Sequence, residues 1–156
     1  MSIITYKKAG KKDIPALVDL DGQAFNLEYH YHFTTKEFED IFRKKGETGF
    51  IFLKNNPVGY YSWVETTADS AEIMSLAVIP KYQGKGIGKS TLKMMMEKLK
   101  NKKNTKIVTH PKNIPALVLY IKQGFIIYGF SKNHYGPGED RVVLEHNRNP
   151  KKKTSH

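Results

Sequence analysis

Apolar and polar positions along the chain change period repeatedly, and each change marks an element. Residues 2–8 (SIITYKK) read as a short strand. From Asp13 to Phe25 the spacing is helical: Asp13 and Pro15 occupy the first turn, and Ile14, Leu17, Val18, Ala24 and Phe25 fall near one face. A second helix has a sharper start, because Thr34 and Glu37 form a capping box and Phe33 and Phe38 are placed as a hydrophobic staple. Phe38, Ile41 and Phe42 supply its apolar stripe, and Gly46 is expected to end it. GFIFLK (49–54) and VGYYSWVETT (58–67), joined by Asn55, Asn56 and Pro57, give a hairpin signal. AEIMSLAVI (71–79) does not alternate cleanly, which predicts a central strand buried on both faces and closed by Pro80.

The stretch from Gly88 to about Lys103 is helical, with Leu92, Met95 and Leu99 at core spacing. TKIVTH (105–110) is a strand, and Asn113 to Gln123 a helix with Leu117, Tyr120 and Ile121 at helical spacing and Gly124 at its stop. FIIYGF (125–130) and RVVLEH (141–146) are two final strands around the loop Asn133 to Asp140. The order β-α-α-β-β-β-α-β-α-β-β is that of an α/β fold, a mixed sheet with helices on both faces.

Length and charge sharpen this picture. At 156 residues the chain suits one domain that removes roughly 70% of its extended surface from water. Residues 1–148 read as that domain, and 149–156, with Lys151, Lys152 and Lys153, as a basic disordered tail. Cysteine is absent, so disulfides, thiolate zinc sites and cysteine nucleophiles are excluded together. No apolar run is long enough to span a membrane, and MSIITYKKAG lacks the apolar run of a secretory signal, so the chain reads as cytoplasmic. Its net charge of +11 is uneven: residues 1–80 carry −2 and residues 81–156 carry +13. This asymmetry suggests an anionic ligand on the C-terminal half and a cation or amine nearer the N-terminal one.

The most informative stretch is PKYQGKGIGKST (80–91), between the central strand and a helix. A Walker A loop would need its first glycine at position 83, which is Gln83. A dinucleotide fingerprint starting at Gly84 and Gly86 would need its third glycine where Lys89 stands. The pattern that fits is Q-x-x-G-x-G, from Gln83 through Gly86 to Gly88. Glycines let the backbone amides of 84–89 turn toward one point, and the following helix adds its positive end, which suits a pyrophosphate. The plainer reading is a glycine turn that only links a strand to a helix.

Together with two further patterns, this turn resembles motif A of the GNAT family of N-acetyltransferases. Asn113, Ala116, Leu119, Tyr120, Gly124 and Phe125 fall as N-x-x-A-x-x-L-Y-x-x-x-G-F, similar to the family's motif B, and AEIMSLAV (71–78) is similar to its fourth strand. The resemblance implies a single-domain, mostly antiparallel central sheet and acetyl-CoA as co-substrate, with no metal. The cofactor's diphosphate would lie on Gln83, Gly84, Lys85, Gly86, Ile87, Gly88, Lys89 and Ser90. Its pantetheine arm would run along Leu76, Ala77 and Val78, where the fourth and fifth strands splay apart in the family, and an amide near Ala77 or Val78 would face the oxyanion of a tetrahedral intermediate. Lys85, Lys89 and Lys122 are candidates for the 3′-phosphate.

The same resemblance makes Tyr120 the general acid. A phenol near pKa 10 stays protonated at neutral pH, and a departing thiolate resembles cysteine at about 8.5. The plainer reading is a tyrosine packed with Leu117 and Ile121. Glu72, opening the central strand, matches the family's frequently used basic glutamate. A solvated or ion-paired strand end is the alternative, with a water-relayed proton path in place of the base. Asn113 either bonds the cofactor arm, caps its helix, or does both. The loop Asn133–Arg141 is similar to the Tyr-rich, Gly-Glu-Asp loop of ribosomal-protein N-terminal acetyltransferases, and a plain hairpin turn using Gly136, Pro137 and Gly138 is the alternative.

His30 and His32, with Glu28 nearby, offer metal-type ligands but no third partner, so Phe25–Phe33 reads instead as an aromatic acceptor loop. Glu28, Glu37, Glu39 and Asp40 hint at a cationic acceptor, and Lys98, Lys100, Lys102, Lys103 and Lys106 read as a solvated helix end. The leading expectation is acetyl transfer to a primary amine of a protein or small molecule. The rivals are an acyl-CoA-binding regulator without turnover and a nucleic-acid-binding protein using the basic half. A nucleic-acid binder should interleave aromatic and basic residues on one open face, whereas many lysines here cluster at the glycine turn and its helix. A homodimer is left open.

Overall fold

The computed structural model describes residues 3–24 and 29–148. The expectations placed on Ser2, on Phe25, on Glu28 and on the tail 149–156 lie outside the described residues. The strands are β1 (Ile4–Lys8), β2 (Gly46–Leu53), β3 (Asn56–Thr67), β4 (Ser70–Val78), β5 (Asn104–Thr109), β6 (Ile126–Ser131) and β7 (Arg141–Asn147). The α-helices are α1 (Ile14–Ala24), α2 (Thr35–Arg43), α3 (Ile87–Lys98) and α4 (Ile114–Lys122). Short 3-10 turns precede α1 (Lys11–Asp13) and α3 (Pro80–Tyr82).

All strands join one seven-stranded sheet in the order β1-β2-β3-β4-β5-β7-β6, with β4 at its centre. Every neighbouring pair is antiparallel except β4 and β5, which run parallel. A parallel pair needs a crossover, and α3 supplies it. No residue of β4 is exposed, as a central position requires.

The helices divide between the two faces. On one, Leu17 and Leu20 of α1 and Phe38 and Ile41 of α2 pack with Phe50, Tyr60, Val64 and Ala77. On the other, Leu92, Met95, Leu99 and Tyr120 pack with Ile51, Tyr61, Ile73, Ile107 and Leu144. The expected core of α3 is therefore in place, but Ile121, expected beside Leu117 and Tyr120, is 49% exposed. Its position turns it outward from the face that Tyr120 buries.

Capping sets the start of α2. Thr34 Oγ1 accepts from the Glu37 amide at 3.2 Å, the Thr34 amide donates to Glu37 Oε1 at 3.0 Å, and Phe33 meets Phe38 edge-on at 5.8 Å. Its end differs from expectation. The helix stops at Arg43, and Gly46 opens β2, where a Cβ would stand 2.1 Å from the Trp63 carbonyl oxygen. That glycine serves a close strand-to-strand approach and not a helix stop. Helix α3 likewise ends at Lys98, earlier than expected, with Leu99 as its cap.

Candidate active site

The site starts where β4 runs out. Beyond Val78 the chain makes one 3-10 turn, and Gln83 reaches back to donate from Nε2 to the Val78 carbonyl at 2.8 Å. This side chain therefore fastens the turn to the strand end. Gly84 (φ 78°) and Gly86 (φ 82°) then take left-handed backbone conformations, which glycine adopts at little cost. A Cβ at either glycine would meet nothing within 4 Å, so the turn stands open on that side. Gly86 is also the N-cap of α3 and offers no side-chain acceptor to the first helical amides. Those donors are left for an anion at the helix's positive end. The Ser90 amide is already committed to the Gly86 carbonyl at 3.0 Å.

Strand β4 pairs with β5 only from Ser70 to Ile73, opposite Asn104 to Ile107. From Met74 onward its β5 side has no ladder, while its other edge stays paired with β3 as far as Val78. The two parallel strands thus part into a wedge, and a cavity of about 610 Å³ fills it. Leu76, Val78, Gln83, Gly84, Gly86, Ile87, Gly88, Lys89, Asn113 and Tyr120 all line this cavity. Ala77, Lys85, Ser90, Glu72 and Lys122 do not. Ala77 faces the α1/α2 core instead. Asn113 also caps α4, accepting from the Ala116 amide at 3.3 Å, so a cap and a cavity position coincide.

Tyr120 is 7% exposed and packs beside Phe125 at 6.0 Å. Its hydroxyl has no hydrogen-bond partner among the described residues, and burial pushes its pKa up to about 12. The Glu72 carboxylate, outside the lining, lies 3.9 Å from the Lys106 ammonium. No aspartate or glutamate among the described residues lines the cavity.

The sequence pattern of the acetyltransferase (GNAT) family matches residues 14–125, most of the chain. This chain belongs to that family. An N-alpha-acetyltransferase of Saccharolobus solfataricus is 25% identical over 155 residues, covering 90% of each chain. A [ribosomal protein bS18]-alanine N-acetyltransferase of Haemophilus influenzae is 28% identical, covering 77% of this chain and 87% of its own. A GNAT family acetyltransferase of Elizabethkingia anophelis, solved with acetyl-CoA bound, superposes with a TM-score of 0.74 at 25% identity, covering 92% of this chain and 97% of that one.

In this acetyltransferase the opposite wall of the cavity comes from the segment read as an aromatic acceptor loop and from the loop that leads into β7. Tyr29, His30 and Tyr31, ahead of α2, line it with Tyr135 and Arg141 from the β6–β7 side. Tyr31 stacks on Tyr135 at 4.5 Å and 5°, and the Arg141 guanidinium lies 5.0 Å over the Tyr135 ring. Burial, aided by the charge of Glu72, raises the Tyr135 phenol to about 12.

Behind this wall Asp21, 1% exposed, gathers four donors. Tyr60 donates to Oδ1, the Phe33 amide donates to Oδ2 at 3.2 Å, and His30 Nε2 and His32 Nδ1 each lie 3.0 Å from one of the oxygens. Burial works to raise the Asp21 carboxyl, but the hydrogen bonds from His30, Tyr60 and His32 outweigh it and hold its pKa below the ordinary value.

Three charge expectations change. Of the four acidic residues expected to attract a cationic acceptor, Glu28 lies outside the described residues. Glu37 is taken up by Thr34 and Tyr31, Asp40 pairs with Arg43, and neither they nor Glu39 line the cavity. The lysine run is not simply solvated. Lys98, Lys102, Lys103 and Lys106 pair with Glu47, Glu65, Asp69 and Glu72 from β2 to β4. The two halves of the charge asymmetry therefore partly neutralise each other inside one domain. No helix among the described residues is long and apolar enough to cross a membrane.

Proposed function

We propose that this acetyltransferase transfers the acetyl group of acetyl-CoA to the α-amine of a protein N-terminus. The observation that carries the reading is that one cavity is lined at once by the glycine turn, the unpaired half of β4 and the unpartnered Tyr120 hydroxyl. The open side of Gly84 and Gly86 leaves the space a diphosphate requires. The turn and the first amides of α3 would hold that diphosphate, Lys89 would add charge, and the unpaired main chain of Leu76 to Val78 would receive the pantetheine arm. Acetyl-CoA supplies an already activated acyl group, so the protein's work is to orient, to exclude water and to manage protons.

Tyr120 manages the proton on the leaving side. With its pKa at about 12 the phenol stays neutral throughout the physiological range. Against a thiol of about 8.5, the transfer is uphill by about 5 kcal/mol at 1.36 kcal/mol per pKa unit, so Tyr120 gives up its proton only as negative charge develops beside it. A hydroxyl without a protein partner is available for that contact.

No carboxylate stands among the described lining residues, so the protonation of the amine itself bears on the acceptor. An ε-amine is neutral only about 0.04% of the time at pH 7, whereas an α-amine near pKa 7.8 is neutral about 14% of the time. A cavity whose described lining residues include no carboxylate suits the second, with Glu72 paired to Lys106 at 3.9 Å. The amine's surplus proton then leaves through water. The relatives named as N-alpha- and ribosomal-protein alanine N-acetyltransferases support the same acceptor class. Release of CoA, followed over a panel of peptides, lysine derivatives and polyamines, tests the reading. Turnover with free peptide N-termini that disappears when the α-amine is blocked is expected, and turnover confined to ε-amines or polyamines would overturn it.

A further inference from the structure

Asp21, His30 and His32 form a cluster with no assigned part in acetyl transfer. One ligating atom from each residue lies within 4.8 Å of those of the other two. The histidines alone gave two ligands without a third. The third is a carboxylate from α1, brought to them by the fold and buried to 1%. We propose that this cluster binds one divalent first-row transition ion of the Zn²⁺ type, which ties the segment 29–33 to α1 and β3.

The donor set selects the ion class. Two imidazole nitrogens and one carboxylate oxygen, with no thiolate, suit Zn²⁺, Co²⁺ or Ni²⁺, while Mg²⁺ and Ca²⁺ prefer all-oxygen shells. Ligand atoms about 2.1 Å from one tetrahedral ion lie about 3.4 Å apart. His30 Nε2 lies 3.0 Å from Asp21 Oδ1 and His32 Nδ1 3.0 Å from Oδ2. One ligand atom of each residue lies within 4.8 Å of the other two, so small side-chain shifts bring the set to that spacing. The imidazoles can adjust, because their side chains keep 16% and 28% of their surface in solvent.

The carboxylate is also held without the imidazoles. The Tyr60 hydroxyl and the Phe33 amide fix its two oxygens, and Ser75 Oγ donates to the Tyr60 oxygen at 2.9 Å. Such outer partners orient the carboxylate of a metal site. An ion can therefore replace the two imidazole contacts without unfastening Asp21. Each neutral ring then carries its proton on the nitrogen that faces away and turns a lone pair to the ion, so the exchange needs no oxidant and no lost proton. The bound ion would fix the wall formed by Tyr29, His30 and Tyr31.

The test uses the full chain, stripped of metal with a chelator and titrated with Co²⁺. One equivalent should produce visible ligand-field bands of a low-coordinate site, which Zn²⁺ then bleaches. His32→Gln should weaken Co²⁺ binding by at least about tenfold, and so should Asp21→Asn, which keeps the carboxylate's shape. His146→Gln, remote from the cluster, should leave the titration unchanged. Acetyl-CoA binding, measured alongside, confirms that each variant is folded and separates this proposal from the catalytic one. Absence of the bands at one equivalent, or an unaltered titration in His32→Gln, would overturn the proposal and leave a purely hydrogen-bonded hub.

Discussion

Replacing Gly86 with alanine separates what the turn needs to fold from what it needs to bind. Gly86 has φ 82°, and a Cβ there would meet nothing within 4 Å, so Gly86→Ala introduces backbone strain without a clash. A left-handed non-glycine residue costs about 1–2 kcal/mol, which for a domain of this size lowers Tm by roughly 3–6 °C. The cost to binding should be larger in effect. Losing one amide contact to a charged group removes about 1.5–3 kcal/mol, or roughly a 10- to 150-fold loss of affinity for acetyl-CoA. Gly88→Ala is the control, because Gly88 has no positive φ and its Cβ would lie 3.6 Å from Leu119 Cδ2, an ordinary contact inside a helix. That variant should hold or slightly gain stability. Thermal melts paired with calorimetric titration of acetyl-CoA read both quantities. If Gly86→Ala loses the expected stability yet binds within twofold of the parent, the turn's backbone is not what holds the cofactor.

Other substitutions probe the remaining parts. Tyr120→Phe should lower kcat at least about 100-fold while KM for acetyl-CoA stays within about threefold. An unchanged kcat in steady-state assays would remove the phenol from the chemistry. Gly59→Ala would place a Cβ 1.9 Å from the Ala77 carbonyl oxygen, backbone against backbone, and should destabilise by about 3 kcal/mol or more in urea denaturation. Burial, with a smaller push from Arg148, holds His146 below its ordinary pKa, so the folded state refuses a proton that the unfolded chain accepts near pH 6.5. Its share of stability is complete above that value and is lost as pH falls through the folded pKa. His146→Gln should therefore flatten the fall in urea midpoint between pH 7.5 and 5.5, and an identical slope would contradict the assignment.

Much of the scaffold was legible because local chemistry decides it. Thr34 and Glu37 specify a cap within four residues, and the apolar spacing of Leu92, Met95 and Leu99 specifies a face. The turn at 83–88 was legible for the same reason, since left-handed positions leave glycines in the sequence. What depended on distant partners was not. Gly46 reads as a helix stop until Trp63 is seen pressing against it. Asp21 looks like any polar position on α1 until Tyr60, Phe33 and two histidines converge on it. Glu72 opens the central strand as expected, but whether its carboxylate reaches the cavity depends on Lys106 across the β4–β5 pair. The basic run reads as solvated in the sequence because its acidic partners lie about 30 to 50 residues earlier in the chain.

The central claim is that a diphosphate sits on the backbone between β4 and α3. Amide chemical shifts of the ¹⁵N-labelled full chain, followed while CoA is titrated, address it directly. The account predicts that the largest saturable changes fall on Gly84, Gly86, Ile87, Gly88 and Lys89, followed by the unpaired end of β4. Changes scattered over surface lysines and weakening steeply with salt, with those five amides unmoved, would contradict it.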